Sequence, residues 1–255
     1  MAVKKKKESS AAPSPKARAL ASEVHERLTR AIPEPHIELR FENPWQLLVA
    51  VILSAQTTDK VVNKVMGELL SRWSTPQALA EASQEEVEAV VKPTSFFRNK
   101  AKAVRETSRL LVERHGGLVP RSLEELQELP GVARKTACMV LGAAYGVVGG
   151  VIVDTHTARV AQRLGLTQQE KAEKIEAELC GLFDCADWLR LGHRFILHGR
   201  YLCMAKAPRC AECTLNELCP SRVAPAEGPW QERAQAEQRE LAERGEGFSP
   251  AQARG

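Results

Sequence analysis

The sequence predicts an all-helical protein. Along most of its 255 residues, apolar side chains recur at helical rather than strand spacing. Aromatic residues are few, at 5%. The stretch from Leu129 to Thr157 reads as helix, tight hairpin and helix, closed by a short apolar run and a carboxylate. The length is enough to bury a full core, as one large domain or two small ones.

The elements follow in order. Residues 1–15 are rich in Lys, Ser, Ala and Pro and are expected to be disordered, a solvated basic tail. Lys4–Lys7 are followed by no apolar segment, so no secretory signal is expected, and no apolar run is long enough to span a membrane. The chain is therefore read as cytoplasmic. A helix starts near Lys16 and ends before Pro33-Glu34-Pro35. Asn43-Pro44 supplies an N-cap with proline at the first helical position, and the apolar Trp45–Ala55 helix is core. Leu53-Ser54-Ala55-Gln56-Thr57-Thr58-Asp59 is a polar break before a helical face resumes at Val61, Val62, Val65, Met66, Leu69 and Leu70. Helices follow around Gln77, from Glu85 to Val91 behind Ser83, and from Asn99 to His115, where Gly116-Gly117 ends the run. Two adjacent aromatics, Phe96 and Phe97, lie in a basic loop, where they either wedge into a base stack or pack into the core. At least one of them is expected in the core.

Ser122 and Glu125 suggest a capping box, Leu123, Leu126 and Leu129 share a face, and Pro130-Gly131 turns the chain. The next helix runs from Arg134 to about Tyr145, so Lys135 lies in its first turn, where the helix dipole disfavours a positive charge. A free amine there would be a nucleophile. The hairpin amides and the helix N-terminus together suit a phosphate. Taken singly, Lys135 is more simply a solvated lysine and Asp154 the N-cap of the helix from Thr155 to Leu164. Helices are expected from Gln168 to about Gly181 and from Trp188 to Tyr201, with a frayed helix from about Trp230 to Arg244 in a polar tail.

Net charge is +4, and residues 223–255 hold six glutamates and four arginines, so the chain before them carries +6. This is a modest lean toward polyanions, not a signature of nucleic-acid binding by itself. Of seven cysteines, Cys138, Cys180 and Cys185 are expected to be buried thiols. Cys203, Cys210, Cys213 and Cys219 are separated by six, two and five residues and form a ligand set. Their spacing alone leaves structural zinc and a four-iron cluster equally open.

Several strings taken together resemble the endonuclease III family of helix-hairpin-helix DNA glycosylases. These are Leu53–Asp59, Leu129–Ala137, Val153–His156, and His198-Gly199-Arg200-Tyr201 followed by the six-two-five cysteines, and the likeness covers Trp45 to Pro220. The chain departs from the family at Ala133, usually glycine, which would be strained at positive φ, and at Ser95, also commonly glycine.

The resemblance implies two all-α domains with DNA in the cleft between them. One is a six-helix barrel with the helix-hairpin-helix over residues 37–147. The other, over 16–36 and 148–222, carries a 4Fe-4S cluster on Cys203, Cys210, Cys213 and Cys219, and 223–255 is a polar tail. It implies a bifunctional glycosylase and abasic-site lyase acting as a monomer on double-stranded DNA with damaged pyrimidines. Lys135 would be the nucleophile and Asp154 its helper. Gln56, Phe96, Gly131, Val132, Ala133, Thr136, His156, Lys206 and Arg209 would contact DNA, Gln56 filling the gap left by a flipped nucleotide. Lys135 also separates this chain from monofunctional adenine glycosylases, which share the Asp and the cluster. The alternative is a non-catalytic or lesion-redirected iron–sulfur DNA-binding protein of the same superfamily, and the presence of both Lys135 and Asp154 opposes its non-catalytic form. A metal-dependent nuclease finds no carboxylate cluster to hold its ions.

Overall fold

The computed structural model describes residues 13–245, and every described element is helical. The first twelve residues of the expected disordered start, and residues 246–255 of the tail, lie outside the described residues. The chain divides into two compact units, one comprising the chain up to Pro35 with Gly150–Glu243, the other His36–Gly149.

The second unit is built around helix α2 (Pro44–Ser54), in which Trp45 through Leu53 are all buried. Such a helix has no polar face to turn to water, so it must be surrounded. Helices α3 (Asp59–Arg72), α6 (Phe97–His115) and α8 (Arg134–Tyr145) pack against it. The Asn43 side chain accepts from the Gln46 amide at 3.0 Å and fixes where α2 begins. Trp45 Nε1 donates to Ser108 Oγ at 3.1 Å, so the buried indole keeps a partner. Helices α4 (Pro76–Glu81) and α5 (Gln84–Val91) lie on α6, and α5 opens with a complete capping box between Ser83 and Glu86. The short α7 (Leu123–Gln127) is capped by Ser122 and leads into the hairpin before α8. Of the expected box, the Glu125 amide donates to Ser122 Oγ at 3.3 Å, while the Ser122 hydroxyl donates to Glu124 Oε2 at 3.0 Å.

In the first unit, α1 (Pro15–Ala31) packs on α10 (Ala172–Leu182) and α11 (Trp188–Tyr201), and α9 (Thr155–Arg163) packs on α11. Val24, Leu28, Val160, Leu179, Leu191 and Phe195 form the centre of its core. Helix α10 starts later than its periodicity suggests. Thr167 Oγ1 donates to Glu178 Oε2 at 2.6 Å and accepts from the Gln169 amide at 3.0 Å, which holds the preceding residues in a loop. Gly199 on α11 lets α9 close in, since a Cβ there would stand 2.9 Å from His156 Cβ and 3.2 Å from its carbonyl oxygen.

The C-terminal segment departs from its expectation as a frayed polar tail. Helix α12 (Trp230–Gly245) packs on this unit, with Ala234 and Leu241 joining Ala31, Ile32 and Leu197 in a small core. The sequence hides this because two of the residues that α12 buries, Arg233 and Glu237, are charged.

Candidate functional site

In the hairpin, the Val132 amide donates to Leu129 O at 3.2 Å, and Thr107 Oγ1 pins the turn to α6 through Pro130 O at 3.0 Å. Gly131 has φ +78°, and a Cβ there would lie 3.2 Å from Ala103 Cβ and 3.3 Å from Ile52 Cγ2, so both conformation and space favour glycine. Ala133 is extended, at φ −79° and ψ 168°, and serves as the N-cap of α8. The steric cost anticipated for alanine there does not arise. An alanine has no side chain with which to cap the helix, so the first-turn amides, including those of Lys135 and Thr136, receive no side-chain acceptor from the N-cap. Lys135 is the second residue of α8 and is exposed, Thr136 is half-buried, and Val132 turns its side chain inward.

Two further loops of this unit are joined. Gln56 and Phe96, with φ 54° and 56°, are the only non-glycine residues in the left-handed region among the described residues. Both are exposed, Phe96 by 62%, whereas Phe97 packs against the core, so the aromatic pair divides its roles. Ser95 Oγ donates to Gln56 O at 2.8 Å, and its amide donates to Thr57 Oγ1 at 3.1 Å. Lys100 sits beneath. Its Nζ donates to Leu53 O at 2.8 Å, Ala55 O at 2.7 Å and Thr57 Oγ1 at 2.8 Å. Burial holds the Lys100 ammonium below its ordinary pKa range. Sequence reasoning missed Lys100 because it follows a basic loop. The signal was its register, since it shares the buried face of α6 with Ala101, Val104, Thr107, Ser108 and Leu111.

In the first unit, Asp154 is the N-cap of α9, and its Oδ1 accepts from the His156 and Thr157 amides, both at 2.8 Å. The capping reading is therefore correct as far as it goes. Asp154 Oδ2 makes no hydrogen bond among the described residues. His156 is half-buried, its Nδ1 3.1 Å from Arg159 Nη2. Arg159 ties α9 to the cysteine segment by donating to Gly199 O at 2.7 Å and Cys203 O at 2.9 Å.

Cys203, Cys210, Cys213 and Cys219 line one cavity, with Arg163, Leu202, Pro208 and Arg209 among its other walls. Donors point at the sulfurs: Arg163 Nη1 at Cys203 Sγ, 3.3 Å, and the Leu215 amide at Cys213 Sγ, 3.4 Å. His198 Nε2 stands 3.5 Å from Cys213 Sγ. Burial, and after it the three neighbouring thiols, push the Cys219 thiol up. Four thiols this close cannot all ionise without a compensating cation. Among the described residues no group of three or more His, Cys, Asp or Glu is gathered to hold a single ion, and the thiols share the wall of one cavity instead. The remaining cysteines only partly match expectation. Cys138 is buried and Cys180 is half-buried under the Val151 amide, but Cys185 is exposed, in the single turn Cys185–Asp187.

Lys206 is exposed in the loop before Cys210. Arg209 is ion-paired. Its guanidinium bonds Glu212 and, at 2.8 Å, Glu240, and these carboxylates hold its pKa above the usual range. A phosphate would have to displace both.

A hairpin presenting a first-turn lysine marks a helix-hairpin-helix protein, and four cysteines later in the chain line one cavity. Residues 49–184 match the family described as HhH-GPD superfamily base excision DNA repair protein. The chain is 46% identical over 204 residues to endonuclease III of Synechocystis, covering 80% of this chain and 93% of that one. With endonuclease III of Escherichia coli K12 it shares 40% over 203 residues, 77% and 93% of the two chains. A solved non-covalent endonuclease III–DNA complex superposes with a TM-score of 0.77 at 36% identity, covering 80% of this chain and 95% of that one. The chain belongs to the endonuclease III family of the HhH-GPD superfamily. That membership disfavours the non-catalytic alternative. Among the described residues no helix is long and apolar enough to cross a membrane.

Proposed function

We propose that this chain, a DNA glycosylase and abasic-site lyase of base excision repair, excises oxidised pyrimidines from duplex DNA with Lys135 as nucleophile and Asp154 as its proton acceptor. A damaged base leaves the stack at lower cost than a sound one, and the enzyme acts on the extruded nucleotide. The Lys135 amine attacks the sugar C1′. The C1′–N bond breaks, and the base departs with the electron pair. Asp154 takes the proton released by the amine, and its negative charge favours the cationic sugar. Ring opening gives an imine between Lys135 and C1′. The imine acidifies the C2′ proton. Its loss expels the 3′ phosphate and nicks the strand, and water then frees Lys135.

The observation that carries this reading is the exposed Lys135 amine, one residue past the uncapped N-terminus of α8 and just after the Gly131 hairpin. Asp154 fits its role because capping engages Oδ1 and leaves Oδ2 to accept a proton. Gln56 and Phe96 enter the duplex where the nucleotide has left. Hairpin residues Gly131, Val132, Ala133 and Thr136, with His156 and Lys206, hold the backbone by phosphate contacts, which position without reading sequence.

Cys203, Cys210, Cys213 and Cys219 suit a 4Fe-4S cluster, because a shared cavity with donors on the sulfurs fits a group of several atoms bound by thiolates. When bound, that group supplies a covalent staple for its loop and a one-electron couple. We place the enzyme in the cytoplasm, acting as a monomer.

The test is borohydride trapping on abasic-site duplex without added metal. Wild-type protein forms a covalent adduct and Lys135→Met does not. An adduct that survives Lys135→Met assigns the nucleophile elsewhere. Four irons per chain are expected in anaerobically prepared protein, and stoichiometric zinc would refute the cluster assignment alone.

A further inference from the structure

Helix α12 presents one polar stripe to the cysteine segment, at spacings of four and three residues: Arg233, Glu237 and Glu240. Arg233 is 4% exposed, donates through Nε to Cys213 O at 2.9 Å, and also bonds Gly228 O and Glu217 Oε1. Glu240 takes the Arg209 guanidinium at 2.8 Å. Glu237 is 2% exposed, and its Oε1 lies 2.7 Å from Nδ1 of His198, itself 1% exposed. The far side of that ring, Nε2, faces Cys213 Sγ at 3.5 Å. Glu237 Oε2 is buried without a hydrogen-bond partner among the described residues.

Stability alone does not account for this set. Burying a carboxylate, an imidazole and a guanidinium has a desolvation penalty that an apolar interface would avoid. What the arrangement delivers is geometry at Cys213, whose carbonyl and sulfur are both held through α12. A carboxylate behind an imidazole fixes the ring's orientation and tautomer toward whatever the other nitrogen faces. Here the other nitrogen faces a sulfur of the thiol cavity.

We propose that α12 is a latch on the cysteine segment, and that within it Glu237 is a positioning residue that holds the His198 ring against the Cys213 sulfur. This rests on the reading of the four cysteines as ligands. The latch keeps the bound group in place, and the ring it holds against one ligand sulfur is part of that sulfur's polar surroundings, which tune the potential of a cluster held there.

The experiment uses the full chain, prepared anaerobically, as wild type and as Glu237→Ala, Glu237→Gln, Glu237→Leu and Gln238→Ala, the last on the exposed side of α12. The readouts are metal per chain, the rate at which a chelator bleaches the protein, the midpoint potential, and far-ultraviolet circular dichroism. Glu237→Ala should keep the helical spectrum, lose metal about 10-fold faster, the scale of losing an outer-shell partner, and show a shifted potential. Glu237→Gln should recover most of the retention, because its amide oxygen still accepts from Nδ1. Gln238→Ala should match wild type. If Glu237→Ala fails to fold, Glu237→Leu, which fills the space without a carboxylate, is read in its place. Wild-type loss rate and potential in the Ala or Leu variant overturn the latch. Iron-free wild-type protein overturns the cluster reading instead, and with zinc in the site the same extraction rates still decide the latch.

Discussion

Asp154→Asn separates capping from the proposed chemistry, because capping engages one carboxylate oxygen and leaves the other open. Oδ1 holds the first turn of α9 through the His156 and Thr157 amides at 2.8 Å each. Asparagine keeps that oxygen and caps about as well, so the substitution loses only the charge at the positive helix end, about 0.3–1 kcal/mol. For a chain of this size that lowers Tm by no more than roughly 2–4 °C. Asp154→Ala loses the cap as well and should cost about 1 kcal/mol more. Excision behaves differently. Asparagine places an NH2 where Oδ2 was and cannot accept the proton from Lys135. Losing a positioned base lowers the rate by roughly 100-fold, or about 2.7 kcal/mol of transition-state free energy. The assay is single-turnover release of an oxidised pyrimidine from duplex DNA, run beside nicking of a preformed abasic site and thermal melts of each protein. Nicking should fall less, since the base is already gone and the sugar aldehyde is the better electrophile. Near-normal excision by a well-folded Asp154→Asn protein would show that the carboxylate is a cap and nothing more.

Other outcomes follow from the same geometry. Lys135→Met should bind abasic duplex as wild type does yet give no borohydride adduct, and gel-shift and trapping assays on one preparation check both halves. Lys100→Met leaves the buried Leu53 carbonyl without its donor, a loss of about 1–3 kcal/mol; melts should show it, and affinity should drop for lesion duplex more than for undamaged duplex as the Gln56 loop loosens. Lys206→Ala should flatten the log–log dependence of binding on salt by about 0.9, one phosphate's worth. Arg209→Ala, whose charge Glu212 and Glu240 already neutralise, should leave that slope unchanged in the same titration.

Most of the fold was legible because helices announce themselves through periodicity and punctuation. Asn43-Pro44, Ser83, Gly116 and Gly131 each stand where the chain starts or stops a helix, for reasons visible in the residue type. The cysteine set was legible from its spacing, and Lys135 from its place in a string. What escaped was polar burial. Arg233, Glu237 and Lys100 look like surface residues in a sequence, and nothing local says that a carbonyl, an imidazole or a loop awaits them. Arg209 shows the converse. A cation in a basic loop looks available until Glu240, 31 residues later, closes on it.

Ser95 shows how a departure from a family pattern can be absorbed. A glycine is common there, which suggests a backbone that only glycine accepts. Yet the left-handed residue is the next one, Phe96, and Ser95 does not share its positive φ. The serine therefore adds no strain, and its hydroxyl gains a bond to Gln56 O, in the other loop that holds a left-handed residue. Left-handed conformations of non-glycine residues persist only where surrounding structure over-determines them. Here Lys100 supplies that determination for the Gln56 loop from below, and Ser95 couples the Phe96 loop to it. The two exposed side chains proposed to enter the duplex thus stand on one braced platform, and the residue that breaks the family pattern is part of the brace.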